Sequence, residues 1–230
     1  MQHREEKISV QTLSRVPSFR ELPEQVLETL AREMESGRFE PRQAVFRHLE
    51  ASRDVFVVLS GSVRVALVNS TGRALTFQIL TAGSLFGEIA AIDGRPRSAT
   101  IVAETEAVVG RIRWSTFLAL TQRSPEFCWL LMRRLTELNR HLTQRLFEYH
   151  AYDVRGRICC ELLRLSSAAQ GQPFELTDRD MATRVGTTRE NVTRIHGELR
   201  RDGLLHRQQG LVHVPDPGGL EALLQRCEFG

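Results

Sequence analysis

Between residues 124 and 149 the apolar side chains recur in alternating steps of three and four. Cys128, Leu131, Leu135, Leu138, Leu142, Arg145 and Tyr149 fall on one line of a helix, which is a heptad pattern. Ser124-Pro125-Glu126 gives this helix a start, with Ser as N-cap and Pro in the first turn. Any fold for this chain has to be arranged around that rod, with whatever precedes it on one side and whatever follows it on the other. The nearly strict seam predicts a helix pair between two copies, with Leu131, Leu135, Leu138, Leu142 and Tyr149 in contact and a loosening at Arg145. The competing arrangement is a helix packed only on its own domain.

The two flanks differ in texture. Up to about residue 39, Leu13, Phe19, Leu22, Leu27, Leu30 and Met34 lie at loose helical spacing and predict short helices. Residues 45–112 read as β structure. VFVVLSGSVRVALV breaks at Ser60-Gly61-Ser62, read as a hairpin turn, and Asn69-Ser70-Thr71-Gly72 marks another. ATIVAETEAVVGRI supplies two more strands. Many short strands with glycine turns predict a small barrel or sandwich. After the rod, residues 151–154 read as a hinge, RGRICCELLRLSS as a helix, Gln170-Gly171-Gln172-Pro173 as a loop, and GLLHRQQGLVHV as a hairpin tipped by Gln208-Gln209-Gly210.

Composition removes several classes of function. The 230 residues, 41% hydrophobic and 26% charged, are enough for two modest cores. No apolar run approaches the roughly 18 residues of a membrane span, and MQHREEKISV has no signal-peptide core, so a cytoplasmic chain without membrane contact is expected. Cys128, Cys159, Cys160 and Cys227 show no CxxC spacing, which predicts thiols in helices rather than a zinc site or a disulfide framework. His3, His48, His141, His150, His196, His206 and His213 are scattered outside any GxSxG, HExxH or P-loop setting, so no catalytic residue and no metal are expected. The net charge of +3 does not make a general polyanion binder.

Two segments carry chemistry. In LTDRDMATRVGTTRENVTRIHGELRRDGLL, Thr177 can cap a helix that Gly186 ends in a tight turn, and Thr188 can cap a second helix. Val192, Ile195 and Leu199 then face a core, leaving Arg189, Glu190, Thr193 and Arg194 outward. Arg pairs bidentately with guanine and Glu accepts from cytosine N4, while Thr188 and its backbone N–H suit a phosphate. The region from residue 154 onward is nearly neutral, with 11 basic against 10 acidic residues, but residues 184–201 hold five Arg against two Glu. The basic excess sits where a DNA groove would lie.

The other segment is LFGEIAAIDGRPRSATI. Gly87 lets backbone approach a ligand, and a short helix can begin at Gly87-Glu88-Ile89-Ala90 with its free N–H groups toward an anion. Glu88 can accept from a ribose 2′-hydroxyl, Arg97 can pair with a phosphate, and Ser98 can add a donor. Such a set suits a ribose cyclic phosphate better than a metal or haem.

The first segment resembles the winged helix-turn-helix of the cyclic AMP receptor / fumarate-nitrate regulator (Crp/Fnr) family, with Arg189, Glu190 and Arg194 where the cyclic AMP receptor branch reads bases. The second resembles the phosphate-binding cassette of cyclic-nucleotide-binding domains, through Phe86-Gly87-Glu88-Ile89-Ala90 and Arg97-Ser98-Ala99. The resemblance covers about residues 20–215. It implies an α+β fold: a jelly-roll-like β-roll over residues 1–113, a long dimerisation helix and hinge over 114–152, and a winged helix-turn-helix over 153–230. It further implies a homodimer that binds double-stranded DNA at palindromic TGTGA-type sites, responds to cyclic AMP or cyclic GMP without a covalent cofactor, and contacts RNA polymerase. The family's adenine-contacting Thr-Ser pair corresponds to Leu142-Thr143, so only Thr143 keeps a hydroxyl and the base stays open. Oxygen-sensing relatives use N-terminal cysteines, and none precedes Cys128. A regulator of the same fold that senses another effector, or none, is the alternative.

Overall fold

The structure, a computed structural model, describes residues 8–68 and 74–227. It divides into two compact units, Met1–Leu138 and Asn139–Gly230, and the division falls inside the long helix. The expected turn at Asn69-Ser70-Thr71-Gly72 lies outside the described residues, as do His3 and the side chain of Cys227.

In the N-terminal unit, helix α1 (Val10–Ser14) starts where the Ser9 hydroxyl accepts from the Thr12 N–H. A 3-10 turn (Pro17–Phe19) and helix α2 (Glu24–Glu33) follow. Leu13, Phe19, Leu22, Leu27, Leu30 and Met34 are all buried in one cluster, as their spacing predicts. The helical texture stops earlier than expected, because Glu35–Phe39 is strand β1. It pairs with a later strand, residue for residue, from Glu35↔Arg111 to Phe39↔Ala107. Gly110 makes room beneath this pair for Met34, whose sulfur would lie 2.4 Å from a Cβ there.

Strands β2 (Ala44–Phe46), β3 (Val55–Ser60), β4 (Ser62–Val68), β5 (Ala74–Thr81) and β6 (Leu85–Phe86) precede the short helix α3 (Glu88–Asp93). Strands β7 (Thr100–Ala103) and β8 (Ala107–Ile112) complete the set. They form two four-stranded antiparallel sheets, ordered β1-β8-β3-β6 and β2-β7-β4-β5. Phe46, Phe56, Val58, Val63, Leu80 and Phe86 are among the side chains that fill the space between them. The Ser60-Gly61-Ser62 turn is therefore not a hairpin: it carries the chain from one sheet to the other. Gly61 turns at φ 73°, and a Cβ there would sit 2.1 Å from the Glu106 carbonyl oxygen. Only glycine fits both demands.

The segment beyond residue 113 is two helices rather than one. Helix α4 (Trp114–Arg123) buries Phe117 and Leu120, and α5 (Pro125–Ala151) runs for 27 residues, about 40 Å at 1.5 Å per residue. The Ser124 hydroxyl accepts from the Phe127 N–H at 3.2 Å and caps α5 as expected. The seam needs correction. Leu131, expected at a dimer contact, is only 6% exposed and belongs to its own unit's core. Arg145, expected to loosen the seam, is buried in the C-terminal unit. Leu135, Leu138 and Tyr149 are half-buried, and Leu142 is exposed. The apolar side chains that α5 leaves open include Trp129, Met132, Leu142, Leu146 and Phe147. A straight helix drifts about 20° per heptad against a strict seven-residue repeat, so one spaced line cannot keep a single face over three heptads.

In the C-terminal unit the chain breaks at Tyr152-Asp153, where a hinge was expected. The Asp153 carboxylate then caps helix α6 (Val154–Ala168) by accepting from the Gly156 N–H at 2.8 Å. Strand β9 (Phe174–Glu175), helices α7 (Asp178–Val185) and α8 (Arg189–Arg201), strands β10 (His206–Gln208) and β11 (Leu211–His213) and helix α9 (Pro217–Cys227) follow. The expected hairpin forms with Gln209 and Gly210 both at positive φ. Strand β9 joins it as a third strand and α9 adds Leu220 to the core, neither of which the local sequence pattern signals. No disulfide joins Cys128, Cys159 and Cys160, all of which lie in helices. Among the described residues, no helix is long and apolar enough to cross a membrane, and no His/Cys/Asp/Glu group could hold a metal ion.

Candidate functional site

The first candidate centres on the corner between β6 and α3. Gly87 stands at φ 84°, in the left-handed region, and α3 begins at the next residue. A Cβ on Gly87 would lie 2.8 Å from Arg97 Nη1 and 3.1 Å from the Asp54 carbonyl. Glycine is what allows this backbone and the Arg97 guanidinium to meet. The Phe86 ring is stacked on Phe56 at 5.5 Å and tilted against Phe46 at 6.0 Å, which fixes the strand just before the corner.

Arg97 is 1% exposed. Its Nη1 donates to the Gly87 carbonyl at 2.9 Å, and its Nη2 donates to the Asp54 carbonyl at 2.7 Å and the Ser52 hydroxyl at 2.9 Å. The guanidinium also lies 4.1 Å from the centre of the Phe46 ring. Burial lowers its pKa, against the pull of Glu50, Asp54 and Glu88. The Arg97 Nε–H is buried and has no hydrogen-bond partner. Burying a donor without a partner costs about 1–3 kcal/mol, so this guanidinium is one donor short of satisfaction.

Glu88 is 3% exposed. Burial pushes its carboxyl above the usual range, while the charges of Arg134 and Arg97 pull the other way. No ion pair joins Glu88 and Arg97 among the described residues, so the two are not a structural salt bridge holding each other. Ala90 is buried, Ile89 and Ala99 are half-buried, and Ser98 is exposed. The structure thus brings Gly87 and Arg97 into contact, leaves the Ser98 side chain at the surface, and places the exposed Thr143 in the other unit. Sequence reasoning missed Ser52 and Asp54, whose only signal is a tertiary contact more than 40 residues from Arg97. It also missed Arg134, whose Nε–H donates to the Leu85 carbonyl at 3.0 Å. Arg134 lines a cavity of about 480 Å³ together with Ser84, Gln78 and Trp129.

The second candidate is the α7–α8 pair. The Thr177 hydroxyl accepts from the Asp180 N–H at 3.1 Å and the Asp180 carboxylate accepts from the Thr177 N–H at 3.3 Å, a reciprocal cap on α7. Gly186 ends α7 at φ 68°, and Thr188 caps α8 by accepting from the Asn191 N–H at 3.3 Å. Val192, Ile195 and Leu199 are buried in the core, and Thr188, Arg189, Glu190, Thr193 and Arg194 are all exposed. The helix faces are those the sequence predicts.

The outward set is held in place. The Glu190 carboxyl is held below its usual range by the nearby backbone N–H and the Thr188 hydroxyl. Arg194 is paired with Glu198 at 2.6 Å, one helical turn along. The Thr193 hydroxyl reaches Asp178 at 2.7 Å. Asp178 was not singled out from the sequence, yet it ties three elements together. Besides Thr193 on α8 it meets His196 Nδ1 at 3.0 Å, also on α8, and Arg207 at 2.5 Å on the wing strand β10. Burial alone would raise the Asp178 carboxyl, but the hydrogen bonds from Thr193 and Arg207 outweigh it and hold it low. Burial lowers the His196 pKa, against the opposite pull of Asp178.

Comparison with known proteins gives two family matches. Residues 37–124 match the cyclic nucleotide-binding domain family, and residues 156–223 match the Crp-like helix-turn-helix domain family. A cyclic AMP receptor protein of Thermus thermophilus is 31% identical over 81% of this chain and 84% of its own length. A CRP-like cAMP-activated global transcriptional regulator of Mycobacterium tuberculosis is 26% identical over 89% of this chain and 94% of its own. Among solved structures, the c-di-GMP responsive global regulator CLP of Xanthomonas campestris is 25% identical, with a TM-score of 0.72 over 84% of this chain and 99% of that one. The fold is shared at lower identity too: a CooA mutant from Carboxydothermus hydrogenoformans superposes with a TM-score of 0.74 over 86% of this chain and 90% of that one, at 22% identity. With a cyclic nucleotide-binding domain ahead of a Crp-like helix-turn-helix, the chain belongs to the Crp/Fnr family of DNA-binding transcription regulators, which are not enzymes.

Proposed function

We propose that this chain is a homodimeric regulator switched by a cyclic purine mononucleotide, cyclic AMP in the first place and cyclic GMP as the second candidate. The observation that carries the reading is Arg97: a guanidinium enclosed beside the Gly87 corner with one buried N–H lacking a partner. A cyclic phosphate at the start of α3 supplies acceptors to Arg97 and to the Ser98 hydroxyl. Glu88 accepts from the ribose 2′-hydroxyl, and Thr143 keeps the one hydroxyl of the family's base-contacting pair. Leu142 stands where the family's other hydroxyl would be, which is why the two bases have to be tried separately.

Dimerisation runs through α5, whose exposed Met132, Leu142, Leu146 and Phe147 need cover. Two copies of α8 then read half-sites about 34 Å apart, one DNA turn. Arg189, Glu190 and Arg194 contact bases of a TGTGA-type palindrome, and Thr188 and Thr193 flank them. A ligand that favours the DNA-competent state raises DNA affinity by the same factor by which DNA raises ligand affinity. Such a protein works in the cytoplasm on chromosomal DNA, beside RNA polymerase.

Calorimetric titration of the purified protein with each nucleotide tests the sensor. Saturable binding of one of them, lost in Arg97→Leu, is the expected result. Heat-silent titrations with both would remove the cyclic-nucleotide reading and leave a regulator of another effector.

A further inference from the structure

Arg145 belongs to neither face that the proposed function uses, yet it is one of the most enclosed charges in the C-terminal unit. It lies on α5 about two turns before the Tyr152-Asp153 break. Its Nη1 is 3.1 Å from Glu161 on α6 and 3.4 Å from Glu148 on α5, and its Nη2 donates to the Arg184 carbonyl in the last turn of α7. Arg184 itself reaches Glu161 at 3.2 Å. Arg164 of α6 reaches Glu148 at 2.6 Å and is also paired with Glu161. The break is fastened from the other side too. Arg157 donates to the Tyr152 carbonyl at 3.0 Å and to the Val185 carbonyl at 3.3 Å, with its guanidinium 4.9 Å from the centre of the Tyr149 ring.

Three features make this more than a surface ion-pair cluster. The Arg145, Glu148 and Glu161 side chains are all less than 10% exposed, so these charges are held by one another rather than by water. The carbonyls that receive Arg145 and Arg157, those of Arg184 and Val185, immediately precede Gly186, the turn that sets the direction of α8. The compact unit that contains α8 also begins at Asn139, inside α5, and not at the break.

We propose that Arg145 is a positioning residue for the recognition helix. Through Glu161 and the Arg184 carbonyl it makes the last turns of α5 part of the DNA-reading unit. The Tyr152-Asp153 break is therefore clamped, not a free swivel, and a change in the spacing of the two recognition helices enters through α5 ahead of Arg145. This replaces the hinge expected at residues 151–154, and it rests on reading α8 as the DNA-contacting helix.

Arg145→Met tests it, because Arg164 and Arg184 still balance Glu148 and Glu161 and the unit keeps its core. Hydrogen exchange on the full-length protein reads the clamp without any ligand or DNA. Amides of residues 146–153 are expected to exchange roughly tenfold faster, while those of α8 keep wild-type protection. Duplexes with two TGTGA half-sites, spaced one base pair closer or farther than the best site and titrated in saturating cyclic AMP and separately in saturating cyclic GMP, read the positioning. Wild-type preference for one spacing is expected to shrink by about tenfold in the variant, with binding to a single half-site unchanged. Arg145→Lys should behave like Arg145→Met, since an ammonium lacks the fork that spans Glu161 and the Arg184 carbonyl. Unchanged exchange at residues 146–153, or an unchanged spacing preference, would overturn the proposal. If the wild type binds none of these duplexes, the DNA-reading assignment fails, and exchange alone decides the clamp.

Discussion

Replacing Arg97 with Leu separates what this residue does for the fold from what it does for the ligand. In the protein alone, the substitution strands the Gly87 and Asp54 carbonyls, and the half-buried Ser52 hydroxyl can turn to water. Each stranded carbonyl costs about 1–3 kcal/mol. Part of that is returned because a buried cation and its unpaired Nε–H are removed, leaving a net cost of about 2–4 kcal/mol. That is a large part of a typical stability of about 5–15 kcal/mol but does not exceed it, and it corresponds to a fall in Tm of roughly 6–12 °C at about 3 °C per kcal/mol for a chain of this size. For the nucleotide, the charge-assisted hydrogen bond from the unpaired Nε–H to phosphate is lost, about 1.5–3 kcal/mol, or roughly 10-fold to 150-fold in Kd. Circular dichroism melting and calorimetric titration on the same preparation give both numbers. A variant that melts cooperatively in that range and binds the nucleotide as tightly as wild type would refute the assignment of Arg97 to the ligand.

Three further outcomes follow from the geometry. Glu88→Gln removes a carboxyl that burial holds above its ordinary range; because the raised pKa makes ionised Glu88 a cost to folding at neutral pH, the variant should melt no lower than wild type at pH 7 while binding nucleotide more weakly, and a lower Tm with unchanged affinity would show a purely structural carboxylate. Gly61→Ala drives a Cβ into the Glu106 carbonyl at a positive-φ position, so melting should show a loss of at least about 2 kcal/mol; a near-neutral effect would contradict the sheet-to-sheet corner. His196 has a folded pKa depressed below its unfolded value of about 6.5, so its contribution is intact above pH 6.5 and is lost as pH falls through the lower folded value. Urea midpoints measured from pH 7.5 to 5 should show that slope in wild type and lose it in His196→Gln, whereas Asp178, held below the usual carboxylate range, titrates outside that window; an unchanged slope in the variant would place the acid sensitivity elsewhere.

The parts legible in the sequence were those whose determinants are local. Thr177, Gly186 and Thr188 are caps and a turn that act within four residues, and they predicted α7 and α8 with the correct faces. Gly87 and Arg97 sit ten residues apart around one short helix, so the pattern carried their meeting. What stayed hidden depends on which strand or helix comes alongside. A turn signal at Ser60-Gly61-Ser62 marks a reversal but not whether the next strand joins the same sheet; here β3 and β4 lie in different ones. The five-residue β1 and two-residue β9 are too short to show a period of two, and each exists because a partner strand pairs with it. Arg145 read as an interruption of an apolar line because its partners, Glu161 and the Arg184 carbonyl, lie 16 and 39 residues further on. Asp178 looked like one more acid in the first turn of a helix, and its link to Arg207 spans 29 residues.

The proposed switch couples nucleotide and DNA through one protein. It is tested most directly by measuring affinity for a palindromic TGTGA-type duplex with no nucleotide, with saturating cyclic AMP and with saturating cyclic GMP, at one fixed salt concentration. One nucleotide is expected to tighten DNA binding by at least about tenfold, a coupling of about 1.4 kcal/mol or more, and Arg97→Leu to abolish the effect. Equal DNA affinity under all three conditions would contradict it.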